Sequence, residues 1–325
     1  MVNMICDSCL NKFKSKRELW AKCFLPEDRN SIVQQAYQMI WNATVFRLIN
    51  HARKMASEDS KGRKEISGTL HHFIDECFFD SQFSTIRRLT DLSALTGREG
   101  VFSLLALLKD MKANVTLMTR SHFFIAEGKE YDYEAVEKRS WEYRKKHTTP
   151  GVPYCLPREL ESDSLKYRHK QIDKLSGVGE DQRKPEDCIS EKVFDHLIKK
   201  IEVAVEKINI HVNKNIAHAA TPESRGTTDQ LSITLDDLWN AHKVICQAAN
   251  FINSEILASG CGGFLPTPQF DHLKFLDKPL VTPAGIEILN NEWQEFNKEA
   301  DSWGHWGIKE IEQEMGSALN LTREV

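Results

Sequence analysis

The sequence predicts an all-α protein. Apolar residues recur every three or four positions along most of its 325 residues. Period-two alternation never holds for a convincing stretch. The periodic segments begin after Ser, Thr or Pro and stop at Gly or Pro. About seven to nine helices are expected on this pattern, with no repeat at a fixed period. One domain over 1–325 is expected, with a short N-terminal arm at 1–28 and its weakest joint near 147–157.

Composition narrows the class. Hydrophobic residues make up 41% and charged ones 28%, ordinary for a soluble globular chain long enough to bury a large core. The net charge of −4 supplies no global basic field, so any contact with nucleic acid must be a local patch. No apolar run reaches the length of a bilayer span. The start, MVNMICDSCLNKFKSKRELW, lacks the apolar segment of a secretion signal. Eight cysteines are too sparse for a disulfide scaffold, so reduced thiols in the cytoplasm are expected, with no membrane partner.

Taken in order, Cys6 and Cys9 form a CxxC with Cys23 further on. No second pair follows, so ordinary thiols are expected rather than a zinc site. Residues 31–57 form a helix with Ile32, Ala36, Met39, Ile40, Ala43 and Phe46 on one face. SEDSKGRKE is a loop. Residues 68–91 are helical again, with a bend expected at Asp80-Ser81; Arg87, Arg88 and Asp91 stand at the end, where cations suit the helix dipole. His72 and Glu76 have metal-ligand spacing, but a lone pair of that kind usually lies on a surface. After a turn at Thr96-Gly97, one apolar helix is expected from 98 to 125, interrupted late by Arg120 and His122. A charged helix follows at 131–147, anchored by Val136 with Trp141 or Tyr143. Prolines 150, 153 and 157 mark an irregular connection. The next helix, 158–175, carries Tyr167, Arg168, His169, Lys170 and Asp173.

Residues 190–221 hold the strongest pattern. Ser190 is placed to cap the helix, and Val193, Leu197, Ile201, Val205, Ile208, Val212 and Ile216 make one apolar stripe. Pro222 ends it. His211, Lys214, Asn215 and His218 lie three, four and seven apart, so on α-helical spacing they share another face. Two imidazoles, an ammonium and an amide there make the best site candidate in the chain. Thr234 and Asp237 are spaced as a capping box ahead of a helix to about 258. GCGG at 260–263 follows a helix, so it is no phosphate loop. A last helix, 283–302, opens on Pro283 and clusters Trp293, Phe296 and Trp303. The tryptophans are read as core anchors before stacking platforms.

The stretch NKNIAHA at 213–219, closing a long helix, resembles the signature of the HEPN superfamily. STIRRLTD at 84–91, the apolar helix followed by Arg120, and YRHKQID at 167–173 resemble its AbiU type, which is an abortive-infection family. The resemblance covers roughly 30–300. It implies an antiparallel helical bundle with additional helices that dimerises through its motif-bearing helices. It also implies metal-free RNA cleavage of toxin or anti-phage type, with tRNA or mRNA as substrate and a cognate antitoxin as a further partner. The catalytic histidine falls on His218. The family's arginine does not appear: Asn213, Val212 and His211 occupy its positions. That departure keeps open an inactive HEPN-like module binding RNA, a nucleotide or a protein.

Metal-free cleavage needs a base for the 2′-hydroxyl, a cation for the phosphorane and an acid for the leaving oxygen. Two copies of His218 across a two-fold axis suit base and acid. Lys214 suits the phosphate, Asn213 and Asn215 its positioning, and His211 either task. Arg168, Arg88, Arg120 and Lys170 are the candidates for RNA contact. No metal or other cofactor is expected. Each residue also has a plain structural role open to it: His218 near the last carbonyls, Lys214 in solvent, Arg88 and Arg120 in buried ion pairs, Arg168-His169-Lys170 as a solvated patch. A helical interaction protein outside the superfamily is the third reading.

Overall fold

The computed structural model describes residues 7–147, 156–157, 160–216, 232–260, 262–265, 267–276 and 278–303, the side chain of Asn215 excepted. Among them there is no strand, only two isolated bridges, Glu58 with Lys64 and Thr119 with Cys188. The helices are α1 Asp7–Lys22, α2 Ile32–Met55, α3 Gly68–Leu89, α4 Leu104–Ala113, α5 Arg120–Ala126, α6 Tyr133–His147, α7 Ser162–Ser176, α8 Glu191–His211, α9 Leu235–Phe251 and α10 Gly285–Trp303. No helix among the described residues is long and apolar enough to cross a membrane. The chain divides at 266/267 into two units, and each is described by itself.

In the first unit α8 is central, packing on α9, α4 and α3, while α2 packs on α3 and α9. The cause is the stripe: Leu197, Ile201, Val205, Ile208 and Val212 are all buried. Ser190 sits at the N-cap of α8 in extended backbone, but its side chain makes no capping bond. Local chemistry starts the other helices. Ser31, Ser67, Ser103 and Thr119 each accept a first-turn N–H of the helix they precede. Thr234 and Asp237 complete the capping box of α9. Gly177, at φ 74°, closes α7 in the left-handed conformation.

Three expectations change. The helix expected over 98–125 is two: α4 stops at Ala113, a single 3-10 turn spans Val115–Leu117, and α5 restarts after Thr119. The break is tertiary in origin. The N–H groups of Arg120 and Ser121 donate to the carbonyls of Asp187 and Pro185, so the connector before α8 replaces helical hydrogen bonds. Asp80-Ser81 does not break α3, which runs continuously from Gly68 to Leu89. Of the two aromatic anchors expected beside Val136, Trp141 is 60% exposed, while Tyr143 is half-buried and stacks on His147. The N-terminal arm is helical, as expected, and packs into the core. Phe13, Trp20 and Cys23 are fully buried, and the Trp20 indole donates to Asp110 on α4 at 2.7 Å. Burial pushes the Cys23 thiol up to about 12, so it is inert.

In the second unit α10 begins at Gly285, two residues later than Pro283 suggests. Phe296 and Trp303 meet edge to face at 5.9 Å.

Candidate functional site

The site candidate lies where α8 ends. Its last regular residue is His211, and Val212–Ile216 continues as a π-turn. Such turns close hydrogen bonds one residue later than an α-helix and recur at functional positions. The α-helical spacing that puts His211, Lys214, Asn215 and His218 on one face therefore does not carry through the turn. Val212 is buried at 3% exposure, Asn213 is exposed, and Lys214 and Ile216 are half-buried. His218 and Pro222 lie outside the described residues, as does the side chain of Asn215.

The C-terminal half of α3 frames this end. The His211 ring meets Phe83 edge to face at 5.2 Å. Asn209 donates its amide N–H to Thr90 Oγ1 at 3.4 Å, while its Oδ1 is buried with no partner among the described residues. Gln82, one residue before Phe83, is fully buried, and both its amide atoms lack partners among the described residues. On α9, His242 is 3% exposed, its Nε2 has no partner among the described residues, and burial, helped by the charge of Arg47, pushes its pKa down to about 4. Buried polar atoms without partners are uncommon, and here three neighbouring helices contribute them. Sequence reading missed all three. His242 left a signal: with Leu238, Ile245 and Ala249 it falls on the inner face of α9.

The arginines part company. Arg120 and Arg168, expected at RNA, are instead 0% and 2% exposed. Arg120 pairs with Asp173 at 2.8 Å and Asp187 at 3.1 Å, and its remaining nitrogen donates to the His169 carbonyl. Arg168 pairs with Glu127 at 2.6 Å, donates to the carbonyls of Glu255 and Ile256, and lies 5.0 Å over Phe123. Their hydrogen-bonding capacity is spent inside, which corrects their assignment to RNA. His169 is buried with them; desolvation lowers its pKa, and Arg120 and Arg183 add to the effect against its hydrogen bond with the Tyr131 carbonyl. Burial opposes the Asp173 charge, but hydrogen bonds from Arg183 and Arg120 outweigh it and hold the carboxyl below its usual range. Arg88 is exposed and donates to Thr85 Oγ1 at 3.1 Å. It lines a separate cavity with Asp28, Gln35, Asp91 and Phe102. Lys170 is exposed on α7.

The histidines of α3 have ordinary partners. Cys6 lies outside the described residues. His71 Nδ1 accepts from Arg53 at 2.9 Å, and His72 pairs with Glu76 at 3.2 Å in solvent. Among the described residues no three His, Cys, Asp or Glu side chains gather to hold a metal ion.

Chemically, the α8 exit offers an imidazole and an ammonium on backbone whose register shifts, backed by buried amides with open valences. Compared with known families, residues 26–274, more than three quarters of the chain, match the family model described as AbiU2, a HEPN family. No curated protein and no solved structure matches.

Proposed function

The chain belongs to the AbiU2 family of HEPN proteins, and from that premise we propose that it is a metal-independent RNA endonuclease of the abortive-infection type, acting as a homodimer. The observation that carries the reading is the end of α8, where the family's signature stretch begins on a π-turn holding Lys214, directly after His211. In this mechanism His218 of one protomer takes the proton of the ribose 2′-hydroxyl. Its twin protonates the leaving 5′-oxygen, a division of labour that suits a pair of imidazoles. Lys214, the cation nearest His218 in sequence, offsets the charge of the phosphorane as a point charge. Asn213 and Asn215 position the phosphate, and His211 supports one of the proton transfers.

One observation favours a second reading, a HEPN module that binds RNA, a nucleotide or a protein without cleaving. No arginine stands at 211–213, and Val212 faces the core, where a guanidinium would be desolvated. RNA degradation in EDTA by wild type and by His218→Ala separates the two. Cleavage that the substitution lowers by about 100-fold or more, with the thermal melt unchanged, supports the nuclease. No cleavage by wild type at any concentration leaves the binding module. Cleavage that survives His218→Ala removes the proposed mechanism.

A further inference from the structure

α6 changes character along its length. Val136 and Ser140 face the core at 0% and 4% exposure. On the other side Trp141 stands 60% exposed. Lys138 precedes it by three residues, Arg144 and Lys145 follow by three and four, so cations flank the indole one turn away in both directions. Two cations beside this face are already paired, Arg139 with Glu130 and Lys166 of α7 with Glu137. Among the described residues Arg144, Lys145 and Lys146 make no ion pair.

α7 packs on α6 and repeats the arrangement. Tyr167 is 61% exposed, and Lys170 and Lys174, three and seven residues on, share its face and are exposed. A tryptophan left in water forgoes the large burial its ring normally gains. Aromatic faces set among unpaired cations are what an unstructured nucleic-acid strand requires: a ring for each base to stack on and charges along the phosphates. On a chain of net charge −4, such a patch is where a polyanion gathers.

We propose that the α6–α7 face, with Trp141, Arg144, Lys145, Tyr167, Lys170 and Lys174, docks single-stranded RNA, bases stacking on the indole and phenol while the cations hold the phosphates. The proposal rests on the RNA reading above and names the surface that delivers the strand. Its test is anisotropy of a labelled 2′-O-methyl oligoribonucleotide of about 12 nucleotides, within the span such surfaces cover. That probe lacks the reactive hydroxyl, so binding is read apart from cleavage. Trp141→Ala is expected to raise Kd about 5- to 100-fold, and Trp141→Phe to restore most of the loss. The double variant Lys145→Gln/Lys170→Gln is expected to lower the salt slope by about 1.4. All are surface changes, and an unchanged thermal melt verifies that the fold survives. Absence of binding by wild type overturns the proposal, as does a Trp141→Ala Kd within twofold of wild type. Polyglutamate that displaces the probe as well as RNA does, charge for charge, assigns the face to an acidic protein and also overturns it. Binding that obeys these expectations beside a wild type that cleaves nothing keeps this surface and removes only the nuclease.

Discussion

Two clusters of polar side chains in the first unit differ in how completely they are satisfied. Around α5 and α7, Arg120, Arg168, Asp173, Asp187 and Glu127 spend their charges on one another and on backbone carbonyls. On α8 and the helices packed against it, Gln82, Asn209 and His242 keep buried atoms without partners among the described residues, and α8 itself ends in a π-turn. Completed charge is architecture: it fixes the α5 restart against the connector before α8. Incomplete polarity costs stability, and a fold retains it where something else is gained. The two buried arginines thus belong to the completed cluster, while the half-buried Lys214 stands at the α8 exit.

Breaking the completed cluster has the largest expected effect. Arg120→Ala leaves Asp187 and part of Asp173 buried without their cation and is expected to cost about 3–5 kcal/mol in urea unfolding. Lys214→Ala, by contrast, truncates a half-buried side chain and is expected to cost about 1 kcal/mol while lowering RNA cleavage. A loss below about 1 kcal/mol for Arg120→Ala would erase the distinction.

Acid separates the clusters next. The His242 pKa is about 4 in the folded chain, against about 6.5 unfolded. Between those values the unfolded state binds more protons, so stability rises with pH. The contribution, about 2–4 kcal/mol, is whole above about pH 6.5 and is lost as pH falls toward 4. The lowered pKa of His169 acts in the same sense. Asp173, with its pKa held below the usual carboxylate, contributes above about pH 3.9 and loses that only in stronger acid. Urea unfolding at pH 7.5 and pH 5 should therefore show a drop for wild type and a smaller one for His242→Leu. Equal drops would mean that Nε2 is not isolated.

Gln82 offers a finer contrast. Gln82→Met removes two unpartnered amide atoms at nearly constant volume and is expected to stabilise by about 1 kcal/mol. The same change should lower RNA turnover if the open amide serves the α8 exit. Loss of stability instead would show that the amide is satisfied.

What could be read from the sequence followed what is local. The α8 stripe and the Thr234–Asp237 box depend on residues within a few turns, and both stand in the structure. The split at Thr119 depends on carbonyls of Pro185 and Asp187, far along the chain, which no periodicity reveals. Arg168 reads as surface beside exposed Tyr167 and Lys170 because its partners, Glu127 and the 255–256 carbonyls, lie more than 40 residues away. The π-turn is a shift of backbone register with no side-chain period of its own. Of the site, the helix end and its residue types were legible; the buried amides behind it were not.

The smallest effect tests whether a local device stays local. Thr234 Oγ1 accepts the N–H of Asp237 at 3.1 Å, and the Asp237 carboxylate accepts the N–H of Thr234 at 3.0 Å. Asp237 also pairs with Lys207 on α8 at 2.8 Å; that bond first, then those from Thr234, hold its pKa down to about 2. Thr234→Ala is expected to cost about 1 kcal/mol and to leave RNA cleavage per folded molecule unchanged. The Lys207 bridge is exposed and worth little alone, so the start of α9 should not reach the α8 exit through it. If cleavage instead falls several-fold in Thr234→Ala, and Lys207→Gln reproduces the fall, then the α9 cap and the end of α8 act as one unit, and the incomplete cluster extends further along α8 than its buried amides indicate.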